Sequence, residues 1–126
     1  MDFNTLFFPV PKHPSYSIVS HLGDIIYVPK LYELDSAGLP ILHMGESNIY
    51  IPCIYIQRNP GQNITPKVMF YLHGNAEDLG SCYDIVLKLS LNFKCSVIAM
   101  EYPGYGVYKS EESDADKILL NAHLIV

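Results

Sequence analysis

Five consecutive apolar residues from Val68 to Leu72 break off at His73-Gly74-Asn75, and a helical pattern sets in a few residues later. A short apolar run that ends in a Gly-containing turn and feeds a helix predicts a buried strand of an α/β sheet. The helix is predicted over Leu79 to Phe93, where Cys82, Val86, Leu89 and Phe93 recur at steps of four, three and four and so share one face. Lys94 to Met100 follows as an almost wholly apolar strand, the pattern of a strand covered on both faces. Strand, helix and strand imply a right-handed crossover, so the two strands should run parallel. Ligands bind outside the carboxyl ends of strands in open sheets of this kind, which directs attention to the turn at His73-Gly74-Asn75-Ala76.

Upstream the pattern is looser. Pro9, Pro11 and Pro14 exclude regular helix and predict an extended arm over residues 1–20. A first strand is expected at Asp24 to Val28, ended by Pro29, and the stretch from Leu31 to Gly45 reads as irregular around a turn at Ser36-Ala37-Gly38. Asn48 to Gln57 is rich in β-branched and aromatic residues and predicts a longer strand, with Pro52 marking an edge or a bulge. The turn signal Asn59 to Asn63 would pair that strand antiparallel with Lys67–Leu72 or a close neighbour. Downstream, Ser110 to Asp116 is an acidic helix start in which Ser113 and Asp116 have capping-box spacing. Ile118, Ala122 and Ile125 then form an apolar stripe.

Composition narrows the function classes. With 126 residues there is room for one domain with a real core. A net charge of −5 with eight scattered Lys and Arg argues against a nucleic-acid surface. Cys53, Cys82 and Cys95 lack CxxC spacing and read as small buried apolar residues, which suits a reducing, cytoplasmic setting. The sequon Asn63-Ile64-Thr65 is too short a pattern to weigh much beside the following Pro66. Leu6-Phe7-Phe8 reads as packing of the arm, with peripheral membrane contact as the rival reading.

The titratable residues near the turns have bland readings. No His has partners at metal-ligand spacing, so neither metal nor cofactor is expected, and His73 reads as a structural residue whose ring bonds the loop backbone. Glu77 and Asp78 read as caps and dipole partners of the helix rather than an acid/base pair, and Glu101 as a loop anchor. Neither G-x-G-x-x-G nor a Walker pattern accompanies the Gly-rich turns, which speaks against phosphate binding.

His73-Gly74-Asn75-Ala76-Glu77-Asp78-Leu79-Gly80 after one strand and Glu101-Tyr102-Pro103-Gly104-Tyr105-Gly106 after the next, at their mutual spacing, closely resemble the α/β-hydrolase superfamily. Within it the likeness is to serine hydrolases that include protein depalmitoylases (acyl-protein thioesterases) and serine-aminopeptidase-like enzymes. The resemblance implies an α/β fold, the N-terminal portion of an α/β-hydrolase with a mostly parallel, incomplete sheet. It further implies that residues 21–126 are the N-terminal half of such a domain, cut before the nucleophile elbow.

It assigns Asn75 the backbone N–H of an oxyanion hole, with Ala76 adjacent and weaker, and His73 and Gly74 as support. Gly74 would allow close approach and an unusual φ. Tyr102, Gly104 and Tyr105 would wall the pocket. A prealigned donor of this kind is worth roughly 3–4 kcal/mol in the transition state. The implied substrate is an acyl ester or thioester, with lipid-modified protein foremost. The sequence departs from the family in one decisive way: it contains no G-x-S-x-G, the motif on which the catalytic Ser sits. The chain as given is therefore expected to lack Ser, Asp and His of the triad and to hydrolyse nothing. Its open strand edge should make it marginally stable and prone to self-associate. A non-catalytic binding or regulatory module that keeps the pocket floor is the alternative, and an unrelated doubly wound binding domain comes third.

Overall fold

A computed structural model describes residues 7–17, 24–42, 49–59, 61, 66–109 and 111–126. Strands β1 (Ile25–Pro29), β4 (Tyr50–Ile56), β6 (Ser96–Met100) and β5 (Val68–Tyr71) form one sheet in the spatial order β1-β4-β6-β5. Helix α1 (Leu79–Phe93) joins β5 to β6, and α2 (Ala115–Ile125) ends the chain. A separate two-stranded ribbon pairs β2 (Tyr32–Leu34) with β3 (Pro40–Leu42).

The α/β class holds, and β5 and β6 run parallel as the crossover requires. The expectation of a mostly parallel sheet is corrected for these strands: β4 is antiparallel to both β1 and β6. Among the described residues only β5 and β6 are linked through a covering helix, and a parallel pair needs such a crossover. The partners of β4 are thus β1 and β6, and not the Lys67–Leu72 strand.

Alternation along the strands divides the core in two. Ile54, Ile56, Val97 and Ala99 point to one face, where they meet Leu79, Cys82 and Val86 of α1. Ile51, Cys53 and Met100 point to the other, beside Tyr102, Tyr105 and Tyr108 and the stripe Ile118, Ala122 and Ile125 of α2. A sheet buried on both faces explains why β6 reads as a continuous apolar run.

Several local expectations are revised. Pro52 sits in a strand with neighbours on both sides, not at an edge or bulge. Its carbonyl accepts the Glu101 N–H at 2.8 Å. The proline nitrogen shares that side of the strand, just past the last β4–β6 pair of Cys53 and Met100, so its missing N–H forgoes only the bond reciprocal to that one. The stretch after Leu31 is not irregular but folds as the β2–β3 hairpin. Asp35 organises its turn by accepting from the N–H groups of Ala37 and Leu39, and Gly38 takes φ +78°.

The buried face of α1 is Leu79, Cys82, Val86 and Ser90, while Phe93 is 64% exposed. Ser90 takes the inward position because its hydroxyl donates to the Cys95 carbonyl at 2.8 Å and accepts Nε of Arg58 at 2.8 Å. The cap of α2 is Asp114, which accepts from Asp116 N–H and Lys117 N–H, rather than Ser113. Ser113 instead donates to the Pro103 carbonyl. Cys53 and Cys82 are buried free thiols pushed up to about 12, first by burial and then by the charge of Glu101, so neither is a nucleophile at neutral pH. Cys95 is half-buried and lies just before β6. The sequon at 63–65 lies outside the described residues. Among those residues no helix is long and apolar enough to cross a membrane, and no group of three or more potential metal ligands occurs.

Candidate functional site

At the carboxyl end of β5 the chain turns through Gly74 to Glu77, closed by a Glu77 N–H to Gly74 carbonyl bond of 3.3 Å. Asn75 and Ala76 are its two central residues, and both are exposed. Ala76 adopts φ +60°, the left-handed value that the second central residue of a type II turn requires. Gly74 does not have a positive φ, and a Cβ there would meet the Glu77 carboxylate at an ordinary 3.4 Å. The unusual backbone angle expected of Gly74 therefore belongs to Ala76. Among the described residues no acceptor takes the Asn75 N–H. The Gly74 N–H, by contrast, donates to Oε2 of Glu77 at 2.9 Å.

The turn rests on a buried polar cluster. His73 is 3% exposed. Its Nδ1 lies 2.9 Å from the Gly74 carbonyl oxygen and its Nε2 lies 2.7 Å from Oε1 of Glu101. Both ring nitrogens face oxygen acceptors, so the ring fits best with two N–H groups, as an imidazolium. Burial pulls its pKa down, but the hydrogen bonds to Glu101 and to the Gly74 carbonyl, with the charges of Glu101 and Glu77, raise it above the ordinary 6.5. With both nitrogens committed, His73 acts as a strut and not as a base.

Glu101 is fully buried and gathers four donors. Oε1 accepts His73 Nε2 and the Tyr102 N–H at 3.2 Å. Oε2 accepts the Tyr16 hydroxyl at 2.5 Å and the N–H of Leu79, first residue of α1, at 3.0 Å. One carboxylate thus joins the N-terminal arm, the turn, an otherwise orphan amide of the helix and the end of β6. Gly106 packs against this carboxylate: at φ +52°, a Cβ would fall 2.3 Å from Oε2 of Glu101 and 2.5 Å from the Tyr16 hydroxyl oxygen.

Asp78 performs the corresponding service for α1. It forms a capping box with Ser81, and it accepts both the backbone N–H (2.7 Å) and the hydroxyl of Ser15. Burial raises its pKa, but the bonds from Ser15 and Ser81 lower it by more, and it falls below the ordinary carboxylate range.

Tyr102 and Tyr105 stand behind His73 rather than in an open pocket. The Tyr102 ring centroid is 3.9 Å from that of His73, and its hydroxyl donates to the His73 carbonyl at 2.5 Å. Tyr105 is fully buried, 5.4 Å from both rings, and its hydroxyl has no partner among the described residues. A cationic imidazolium against these ring faces gains further cation–π stabilisation. Gly104 takes φ +84° in a tight loop closed by its N–H to the Tyr108 carbonyl at 2.8 Å.

A groove of about 880 Å³ opens elsewhere, between the β2–β3 turn and α2. Its floor holds the buried pair Lys30 Nζ–Glu111 Oε1 at 2.8 Å, and Glu111 also accepts the Tyr108 hydroxyl at 2.5 Å. None of residues 73–76 or 102–105 lines it, so its size says nothing about the chemistry at the turn.

The turn and the anchoring role of Glu101 are legible in the sequence. That Ser15 and Tyr16 reach Asp78 and Glu101, across 63 and 85 residues respectively, is not. No local pattern encodes such pairs.

One pH dependence follows from the strut. Because the folded-state pKa of His73 lies above the unfolded value, its stabilising charge is fully present below about pH 6.5. That contribution is lost as pH rises through the higher folded value. Urea midpoints measured between about pH 6 and pH 9 should decline with rising pH, and the decline should flatten in His73→Gln. Equal slopes in the two proteins would contradict the charged strut.

Three comparisons bear on kinship. Alpha/beta hydrolase domain-containing protein 17C of Xenopus laevis is 29% identical over 69 residues, which is 55% of this chain and 21% of that protein. Its human counterpart is 29% identical over 82 residues, 65% of this chain and 24% of that protein. Alpha/beta hydrolase domain-containing protein 17B of Homo sapiens is 27% identical over 64 residues, 51% of this chain and 21% of that protein. The chain spans about a fifth to a quarter of the length of these curated relatives. No family model and no solved structure matches it. The similarity to hydrolase-domain proteins, together with an incomplete α/β sheet that carries the His-Gly turn at a strand end, supports the α/β-hydrolase superfamily for this chain.

Proposed function

We propose that this chain supplies the oxyanion-stabilising corner of a serine hydrolase that acts on esters or thioesters, with acyl groups on lipid-modified protein as the substrate class. The observation that carries the reading is the Asn75 N–H: it has no acceptor among the described residues, and it lies on an exposed residue in a turn held by His73 and Glu101. A backbone donor prealigned in this way stabilises charge developing on a carbonyl oxygen without having to reorganise during the reaction. His73 and Gly74 fix the corner, with Tyr102 and Tyr105 packed behind it, and Ala76 holds the left-handed angle that closes the turn. The sequence contains no G-x-S-x-G, so on this reading the nucleophile and its acid and base come from chain outside these residues, and residues 1–126 alone are inactive. The setting is cytoplasmic, at or near a membrane surface where lipid-modified protein resides.

Fluorophosphonate labelling tests the proposal. A full-length protein that carries this domain followed by a serine elbow is expected to label at that serine and, unlabelled, to hydrolyse a long-chain acyl thioester to the free acid and the thiol. The 126-residue chain is expected to remain unlabelled. An elbow serine that never labels would remove the hydrolase reading and leave the non-catalytic module in its place.

A further inference from the structure

The N–H of Asn75 and the carbonyl of Gly74 are the two ends of one planar trans peptide, so they point in opposite directions. Whatever holds that carbonyl therefore aims the N–H. His73 Nδ1 holds it at 2.9 Å, and the ring is itself held by Oε1 of Glu101, 2.7 Å from Nε2. The place of Oε1 depends in turn on what grips the other oxygen of the carboxylate. There the Tyr16 hydroxyl donates at 2.5 Å, beside the Leu79 N–H at 3.0 Å.

Two glycines make room for this part of the arm. A Cβ on Gly106 would collide with the phenol oxygen and ring edge of Tyr16, and one on Gly80 with the Ser15 hydroxyl. Tyr16 is buried, in one core cluster with Ile54, Leu79 and Cys82. The Val107 N–H approaches the phenol oxygen at 3.5 Å, which leaves the phenol's own proton for Glu101. Burial first, and then the charge of Glu101, raise the Tyr16 pKa above its ordinary value, so the phenol keeps that proton and remains a donor. Ser15 binds Asp78 through both its N–H and its hydroxyl, and Phe8 and Val10 pack against the other core cluster. The arm is thus held at several points besides the phenol.

We propose that Tyr16 is a positioning residue for the Asn75 N–H, acting through Glu101 and His73. The phenol fixes the carboxylate, the carboxylate fixes the imidazole, and the imidazole fixes the peptide plane that carries the donor. The catalytic effect rests on the oxyanion reading of Asn75, while the relay itself does not. When one grip on Oε2 is lost the carboxylate shifts, and the displacement is passed along the relay to the N–H. A donor that matters only as charge develops then loses alignment, so the loss falls on kcat and not on KM.

Tyr16→Phe tests the proposal. It removes one O–H, keeps the ring in its seat and leaves Glu101 the donors His73, Leu79 and Tyr102, so the fold holds. In a full-length protein that carries this domain, kcat is measured per active serine, counted by fluorophosphonate labelling. It should fall about tenfold, with KM within about twofold of the parent. Ser15→Ala loosens the arm but leaves the phenol on Glu101, and should keep kcat per site within about twofold. A purely structural Tyr16 would lower the number of labelled sites and not the turnover of each. An unchanged kcat per site in Tyr16→Phe, or an equal fall in Ser15→Ala, overturns the proposal. If no serine labels even in the parent, the hydrolase reading fails, and urea midpoints of Tyr16→Phe, His73→Gln and the double variant decide on the relay alone. Losses that do not add support action through one carboxylate, and losses that simply sum overturn it.

Discussion

Glu101→Leu is expected to remove most of the stability of the chain, about 3–5 kcal/mol of it. The carboxylate is fully buried and receives four donors, from Tyr16, His73, Leu79 and Tyr102. Leucine fills a similar volume but accepts nothing. The change leaves a buried imidazolium without its counter-charge and strands a phenol and two amides, each of which costs free energy when buried without a partner. Small domains are stable by only about 5–15 kcal/mol, so urea denaturation should show a large fall in midpoint or no folded baseline at all. Glu101→Gln keeps the shape and some acceptor capacity, and should fall between the two. A midpoint for Glu101→Leu within about 1 kcal/mol of the parent would mean that the cluster contributes little and the turn is held otherwise.

The second large effect concerns activity and separates a side chain from a backbone group. Asn75 is the first central residue of the Gly74–Glu77 turn, a position where proline fits readily. Asn75→Pro therefore removes the proposed donor N–H while keeping the turn. In a full-length enzyme that carries this domain, kcat should drop about 10²–10³-fold, with KM changing much less. Asn75→Ala retains the N–H and should stay within a few-fold, about 2–5 times, of the parent. Equal activity of the two variants would show that the Asn75 amide receives no developing charge. A loss in both would assign the role to the side chain instead.

Legibility in the sequence tracked how local each determinant is. The unit β5–α1–β6 was readable because each strand is a short apolar run, the helix repeats near 3.6 residues, and the crossover rule fixes their relative direction. The β2–β3 ribbon escaped because three-residue strands around a turn leave too little period to detect. Spacing alone puts Phe93 on the inward face, yet the buried face runs through Ser90, whose hydroxyl bonds are invisible to a hydrophobicity count. Gly74 drew attention as the flexible residue, while the strained angle fell on Ala76, which no propensity would select. Ser113 had the spacing of a cap, but the Pro103 carbonyl takes its hydroxyl and Asp114 caps the helix.

Taken alone, the amino-acid order determined the α/β class, the β5–α1–β6 unit and the place of the His-Gly corner at a strand end. These follow from periodicity and turn chemistry within a few residues. Only the tertiary structure decided that β4 lies between β1 and β6, and that Tyr16, His73 and Leu79 converge on Glu101. Such pairings join residues tens of positions apart, and they are selected by the need to satisfy buried charge and backbone groups in three dimensions.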